Sequence, residues 1–168
     1  MEKEIINKVA NSKLEVFDLE DYFPREEIIV LDISQWLFEG FILKEKDFRE
    51  ALNNYNWSQY AGKGITLFCS SDAILPAWTF ALVTTYLQPF AKNIVHGSIE
   101  DYLLISYKTT LDGLDYNIYM DKPLILKGCA KKPVPQEIYT LAIQKIMPFA
   151  KSIMFGEACS AVPLFKSK

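Results

Sequence analysis

The sequence predicts an α/β fold, a three-layer α/β/α sandwich around a mostly parallel sheet. Two observations lead there. Residues 64–97 read as strand, helix and strand, and the same pattern recurs over residues 123–156 at a shift of 59 positions, without a gap. Short β-branched apolar runs then alternate with longer runs of helical spacing, the pattern of parallel strands covered on both faces.

The repeat is carried by identities. Pro76 meets Pro135, Leu82 meets Leu141, and Ile94 meets Ile153. Pro-Phe-Ala-Lys at 89–92 meets Pro-Phe-Ala-Lys at 148–151, and Gly97 meets Gly156. Each copy then holds an apolar strand, a cysteine-bearing polar loop, a proline, a helix and a second apolar strand.

Taken in order, residues 2–11 place Ile5, Ile6, Val9 and Ala10 on one side and charges on the other, the signature of an amphipathic helix. Residues 11–27 mix acids, aromatics and Pro24 and read as a connector. Ile28–Asp32 is the first strand. Ser34 to Gly40 reads as an exposed aromatic loop with Trp36 and Phe38. Lys44 to Asn54 is helical, with Phe48, Ala51, Leu52 and Tyr55 on one face.

In the first copy, Gly64–Phe68 is a strand closed by Cys69. Ser70, Ser71 and Asp72 offer N-cap oxygens, and Pro76 suits the first turn of a helix running to about Gln88. That helix is apolar nearly all round, which predicts burial on two sides, one of them against a second subunit. Lys92–His96 is the next strand. Ser98 to Asp101 has capping-box spacing and opens a helix to about Leu111, stopped by Gly113. Residues 114–122 carry no assignable pattern.

In the second copy, Pro123–Lys127 is a strand, Pro135 to Met147 a helix and Ser152–Phe155 a strand. The apolar tail at 162–165 is expected to dock. A doubly wound arrangement would make the strands at 64–68 and 123–127 central neighbours of one sheet, with the strand at 28–32 on an edge.

A chain of 168 residues, half of them apolar and 14% aromatic, is expected to form one domain spanning residues 1–168 with a substantial core. The net charge of −3 and the lack of a basic aromatic patch exclude nucleic acid as the expected partner. The charged start, Met1-Glu2-Lys3-Glu4, is not a secretory signal, and no apolar run is long enough to cross a bilayer. The expected location is therefore cytoplasmic, with no membrane association.

Three cysteines and one histidine limit the chemistry. In parallel sheets, sites lie beyond the carboxyl ends of strands. Cys69 and Cys129 follow strands there, and Cys159 follows the last strand of the second copy. Three thiolates with one oxygen or imidazole satisfy zinc, iron or an iron–sulfur cluster, which need soft deprotonated ligands. Asp72, Glu157 and His96 are the candidates for the fourth position, in that order. The same cysteines equally suit inert packing, since cysteine is among the most buried residue types. Cys69 ahead of a helix N-terminus also suits an activated thiol, as in a persulfide-type transfer protein. No dinucleotide fingerprint, Walker loop or serine triad is present. The expected function is thus a metal- or iron–sulfur-binding accessory protein. The alternatives are a thiol-dependent transfer protein using Cys69 and a dimeric interaction module with structural cysteines. Whether the protein is an enzyme stays open.

The strings Phe68-Cys-Ser-Ser-Asp-Ala-Ile-Leu-Pro-Ala-Trp78, Tyr86-Leu-Gln-Pro-Phe-Ala-Lys92 and Lys127-Gly-Cys-Ala-Lys-Lys-Pro-Val-Pro135, with the C-terminal run 151–166, resemble a bacterial family known as domain of unknown function 2480. The resemblance covers roughly residues 25–168. It implies no activity and no site residues. Members of that family being encoded near iron–sulfur assembly genes, it implies a protein partner in that process, beside the homodimer expected from the apolar helix.

Overall fold

In the computed structural model the described residues are 14–128, 131–157 and 160–167. The chain is an α/β protein with seven strands and four α-helices among them. It divides into two compact units: a middle unit, Pro24–Ile105, and a flanking unit, Met1–Phe23 with Ser106–Lys168.

The middle unit holds a three-stranded parallel sheet, β2–β3–β4. Its strands are β2 (Ile28–Asp32), β3 (Gly64–Phe68) and β4 (Asn93–His96), and its own helices are α1 (Glu45–Asn54) and α2 (Trp78–Leu87). β3 lies between the other two, with Ile28 beside Gly64 and Gly64 beside Asn93. Ile65 and Leu67 of β3 pack with Phe48 and Leu52 of α1 and Val83 and Leu87 of α2 in one core. Thr66, on the opposite face of the same strand, is fully buried as well.

The flanking unit repeats this plan. β1 (Glu15–Asp18), β5 (Pro123–Lys127) and β6 (Ser152–Phe155) form the parallel part, in the order β1–β5–β6, and β7 (Val162–Lys166) adds an antiparallel edge. Helix α4 spans Gln136–Ile146. The division between units falls inside α3 (Ile99–Asp112), whose second half supplies Tyr107 and Leu111 to this unit.

The 59-residue shift survives in detail. β3 maps onto β5 and β4 onto β6 with identical bounds. The 3-10 helix Trp57–Tyr60 maps onto Tyr116–Tyr119. Trp57 Nε1 donates to the Leu52 carbonyl at 2.8 Å, and Tyr116 Oη donates to the equivalent Leu111 carbonyl at 2.7 Å. The amides of Gly97 and Gly156 bond the carbonyls of Leu67 and Leu126 at 2.9 and 3.1 Å. Both glycines have positive φ, +144° and +107°, which an L side chain rarely adopts.

Four expectations change. The single sheet becomes two, because β3 and β5 are each already paired on both sides and have no free edge for one another. The connector at 11–27 contains β1 and a 3-10 helix, Leu19–Tyr22. Trp36 is not an exposed loop residue: it packs at 5.0 Å from Tyr55 and 5.5 Å from Trp57, while Phe38 stays exposed. Ser70, Ser71 and Asp72 do not cap α2, which starts at Trp78 behind Ala77 with no side-chain cap. The capping box at Ser98 is present, with Asp101 Oδ2 accepting the Ser98 amide at 2.7 Å and Ser98 Oγ accepting the Asp101 amide at 3.1 Å. The tail docks, as strand β7. The expected N-terminal helix lies outside the described residues.

A buried carboxylate closes the amino end of the middle unit. The Glu26 side chain is only 4% exposed. It takes the Lys92 ammonium at 2.8 Å and the Tyr102 hydroxyl at 2.6 Å. Burial pushes this carboxyl up, but the Lys92 and Tyr102 hydrogen bonds outweigh it and hold the pKa at about 2 instead of 4.5. Tyr102 also lies over Gly64, where any β-carbon would run into its ring.

Two measurements check this account. Glu26→Gln should cost about 2–3 kcal/mol at neutral pH. The depressed pKa makes the carboxylate's contribution full above pH 4.5 and lost as pH falls from 4.5 towards 2. Acid titrations of wild type and variant should therefore converge across that window. Separately, the Thr66 hydroxyl is buried with no hydrogen-bond partner, and isoleucine stands at the equivalent position 125. Thr66→Val should raise stability by about 1 kcal/mol, read from denaturant midpoints.

Candidate functional site

The carboxyl ends of the strands differ sharply between the two units, and the difference is one of charge. In the middle unit the rim gathers the hydroxyls of Ser34 and Ser70 around Asp32. Asp32 ends β2, and its Oδ1 accepts the amides of Ser34 at 2.9 Å and Ser70 at 3.1 Å. Burial alone would raise the Asp32 pKa, yet the hydrogen bonds from Ser70 and Ser34 bring it below the usual carboxylate value. The hydroxyls of Ser34 and Ser70 lie 3.1 Å apart. Asp32 thus ties the loop after β3 to the turn after β2.

Cys69 is the first residue of that tied loop. It is half-buried, packed in part against the core, and its Sγ lies 3.3 Å from Ser71 Oγ. Asp72 is exposed three residues on. The helix that was to activate Cys69 begins only at Trp78, and the influence of a helix terminus fades within a turn. His96 ends β4 and stacks on Phe80 at 3.8 Å between centroids. Phe155 and Tyr139 are the equivalent pair in the flanking unit, at 5.6 Å, so the imidazole takes a packing place.

In the flanking unit the rim opens into a cleft of about 650 Å³. Asp18 and Lys127, the last residues of β1 and β5, form part of its wall, with Gly128, Lys131 and Lys132 from the following loop. Phe155, Gly156 and Glu157 close it from β6, and Glu20 and Asp21 from the 3-10 helix. Asp18 caps that helix by accepting the Glu20 amide at 3.0 Å, as Asp32 does for Ser34. Glu20 Oε1 accepts the Lys131 amide at 2.7 Å and so fixes the loop after β5. Lys127 pairs with Glu157 at 2.9 Å, and that hydrogen bond raises the Lys127 pKa above its ordinary value. The Lys132 ammonium lies 5.2 Å from the centre of the Phe23 ring.

Of the expected site residues, Cys69 and Asp72 lie on the rim of the middle unit, whereas Glu157 lies in the cleft of the flanking unit, engaged by Lys127. Cys129 and Cys159 lie outside the described residues. Gly128 and Lys131, on either side of the Cys129 loop, line the same cleft as Gly156 and Glu157, which precede Cys159. Among the described residues no group of three or more histidine, cysteine, aspartate or glutamate side chains is placed to hold a metal.

The sequence reading missed Asp18, Glu20, Asp21 and the three lysines. A signal existed: Phe17-Asp18-Leu19 echoes Leu31-Asp32-Ile33, and each aspartate ends an edge strand. Among the described residues no helix is long and apolar enough to cross a membrane.

Gly128 shapes the cleft floor. A β-carbon there would stand 2.6 Å from Tyr139 Oη and 3.2 Å from the Leu19 β-carbon. Gly128→Ala should therefore destabilise the chain by about 1–3 kcal/mol. Adding Tyr139→Phe, which removes the nearer obstacle, should recover part of the loss in thermal melts.

No curated protein and no solved structure matches the chain. The model of the family described as protein of unknown function (DUF2480) matches residues 3–167, nearly the whole sequence. With the fold, both rims and that match in view, this chain belongs to the DUF2480 family.

Proposed function

We propose that this protein is a cytoplasmic metal- or iron–sulfur-binding accessory protein whose working centre is the cleft of the flanking unit. One observation carries the reading. Both loops that bear Cys129 and Cys159 contribute their neighbouring residues to a single cleft at the carboxyl ends of parallel strands. Glu157 is the oxygen donor there, and Asp18 and Glu20 border it. Soft ions and clusters demand thiolates, and thiolates carry negative charge. Lys127, Lys131 and Lys132 offset that charge in the same cleft, as a cluster held by several thiolates requires.

The second reading, a thiol-dependent transfer protein, is favoured by Cys69 itself. It is a free thiol on a loop pinned by Asp32, with the Ser71 hydroxyl beside it. In that reading Cys69 acts without Cys129 and Cys159.

The two separate in one experiment. The full chain is purified without oxygen, its zinc and iron are counted, and its visible spectrum is recorded beside Cys69→Ser, Cys129→Ser and Cys159→Ser. About one metal ion or cluster per chain, lost in Cys129→Ser and in Cys159→Ser, is expected. Metal-free wild type that takes up neither added zinc nor iron with sulfide overturns the metal reading. A single fast thiol in reagent titration, abolished only by Cys69→Ser, would then support transfer chemistry.

A further inference from the structure

The flanking unit covers one strand edge that the middle unit, among the described residues, leaves open. β4 and β6 are equivalent at the 59-residue shift, and each is followed by a glycine whose amide bonds back to the central strand. Backbone groups alternate sides along a strand, so the N–H and C=O of Ile94 and His96 face outward, as do those of Ile153 and Phe155. Beside β6 that side is taken by β7, antiparallel, with Phe165 next to Ile153 and Val162 next to Phe155. Among the described residues no strand pairs with the outer side of β4. Asn93 and His96 are exposed, and Ile94 is half-buried. The β4 edge is also unguarded. Edge strands are commonly protected by charged residues or proline. β1 carries Glu15 and Asp18, β2 ends in Asp32, and β7 carries Pro163 and Lys166. Asn93-Ile-Val-His96 holds no carboxylate, lysine or proline.

We propose that β4 is a docking edge for an extended segment of a partner protein, added antiparallel in the place that β7 takes beside β6. The repeat itself specifies what such a segment looks like. Beside β6, Leu164 lies with Phe155, Tyr139 and Ile143 in an apolar groove of about 680 Å³ against α4. The matching positions in the middle unit are His96, Phe80 and Thr84, the last two half-buried on α2. The walls of that groove are thus repeated in the middle unit, and the strand that fills it is not. The counterparts of groove residues Gln136 and Thr140 are Ala77 and Ala81, both exposed, which set neither bulk nor charge against an incoming strand. This gives the apolar outer side of α2 an occupant. The partner segment therefore has the chemistry of β7, with one apolar side chain beside Ile94 and another beside His96. Main-chain hydrogen bonds to Ile94 and His96 supply affinity, and the apolar contacts with α2 select the sequence.

The test adds a synthetic peptide, Ala161-Val-Pro-Leu-Phe-Lys-Ser167, to the full chain and follows single backbone amides by hydrogen exchange. In the free chain the amides of Ile94 and His96 should exchange about tenfold faster, or more, than those of Ile153 and Phe155. Saturating peptide should slow Ile94 and His96 at one peptide per chain and leave Ile153 and Phe155 unchanged. Ile94→Pro removes one outward N–H from an edge strand, where proline is tolerated, and should weaken binding about tenfold with the circular dichroism unchanged. A peptide carrying Val162→Asp and Phe165→Asp should not bind. Slow exchange at Ile94 and His96 in the free monomer would overturn the proposal, because the edge would then be closed already. A dimer of the chain that protects these two amides and is lost in Ile94→Pro would overturn it too, and would give the edge to a second copy. Peptide that binds nowhere, or that protects only Ile153 and Phe155 by displacing β7, overturns it as well.

Discussion

Everything in this molecule follows from saturating one strand on both sides. β3 and β5 each place a full row of backbone groups between two parallel neighbours, and each is buried on both faces. Burying peptide groups is tolerable only when they are hydrogen-bonded, so the outer strands are required by the inner ones. β4 and β6 come from the repeat itself, through α2 and α4. β1 and β2 are supplied from upstream, and both end in an aspartate that folds the chain into a 3-10 turn. The edge strand, the aspartate and the turn form one device used twice. The same device sets where the loops after β3 and β5 can go, and therefore where the rims lie.

Much of this was legible in the sequence. Local hydrogen bonding and burial periodicity act over short distances, so β2, β3, β4, β5 and β6 were readable to within a residue. The capping box at Ser98 was readable because its two partners are three residues apart. What could not be read was pairing. Whether β3 and β5 meet depends on whether their edges are already taken, and the competitor β1 is only four residues long, in a stretch rich in acids and aromatics. The helix start at Trp78 was misplaced for a related reason. Ser70 donates its amide to Asp32, thirty-eight residues away, so the loop is held by tertiary contact and not by a local cap.

The candidate site was half visible. Cys69 and Glu157 follow strand ends, as the chemistry of parallel sheets suggests. The lysines and the acids of the flanking rim were not singled out, because each looks like ordinary surface charge until the fold gathers them. Glu20 illustrates this. Its carboxylate binds the amide of Lys131, a contact across more than a hundred residues that no spacing rule encodes.

Laid over one another at the 59-residue shift, the two halves never place one sulfur on another. Cys69 falls on Gly128, Cys129 on Ser70 and Cys159 on Glu100. The glycine opposite Cys69 cannot accept even a methyl group without displacing Tyr139, so in that half the position is closed to any thiol. The scaffold is therefore repeated as architecture, and the positions of its cysteines are not repeated with it. What one rim carries is thus no guide to the other.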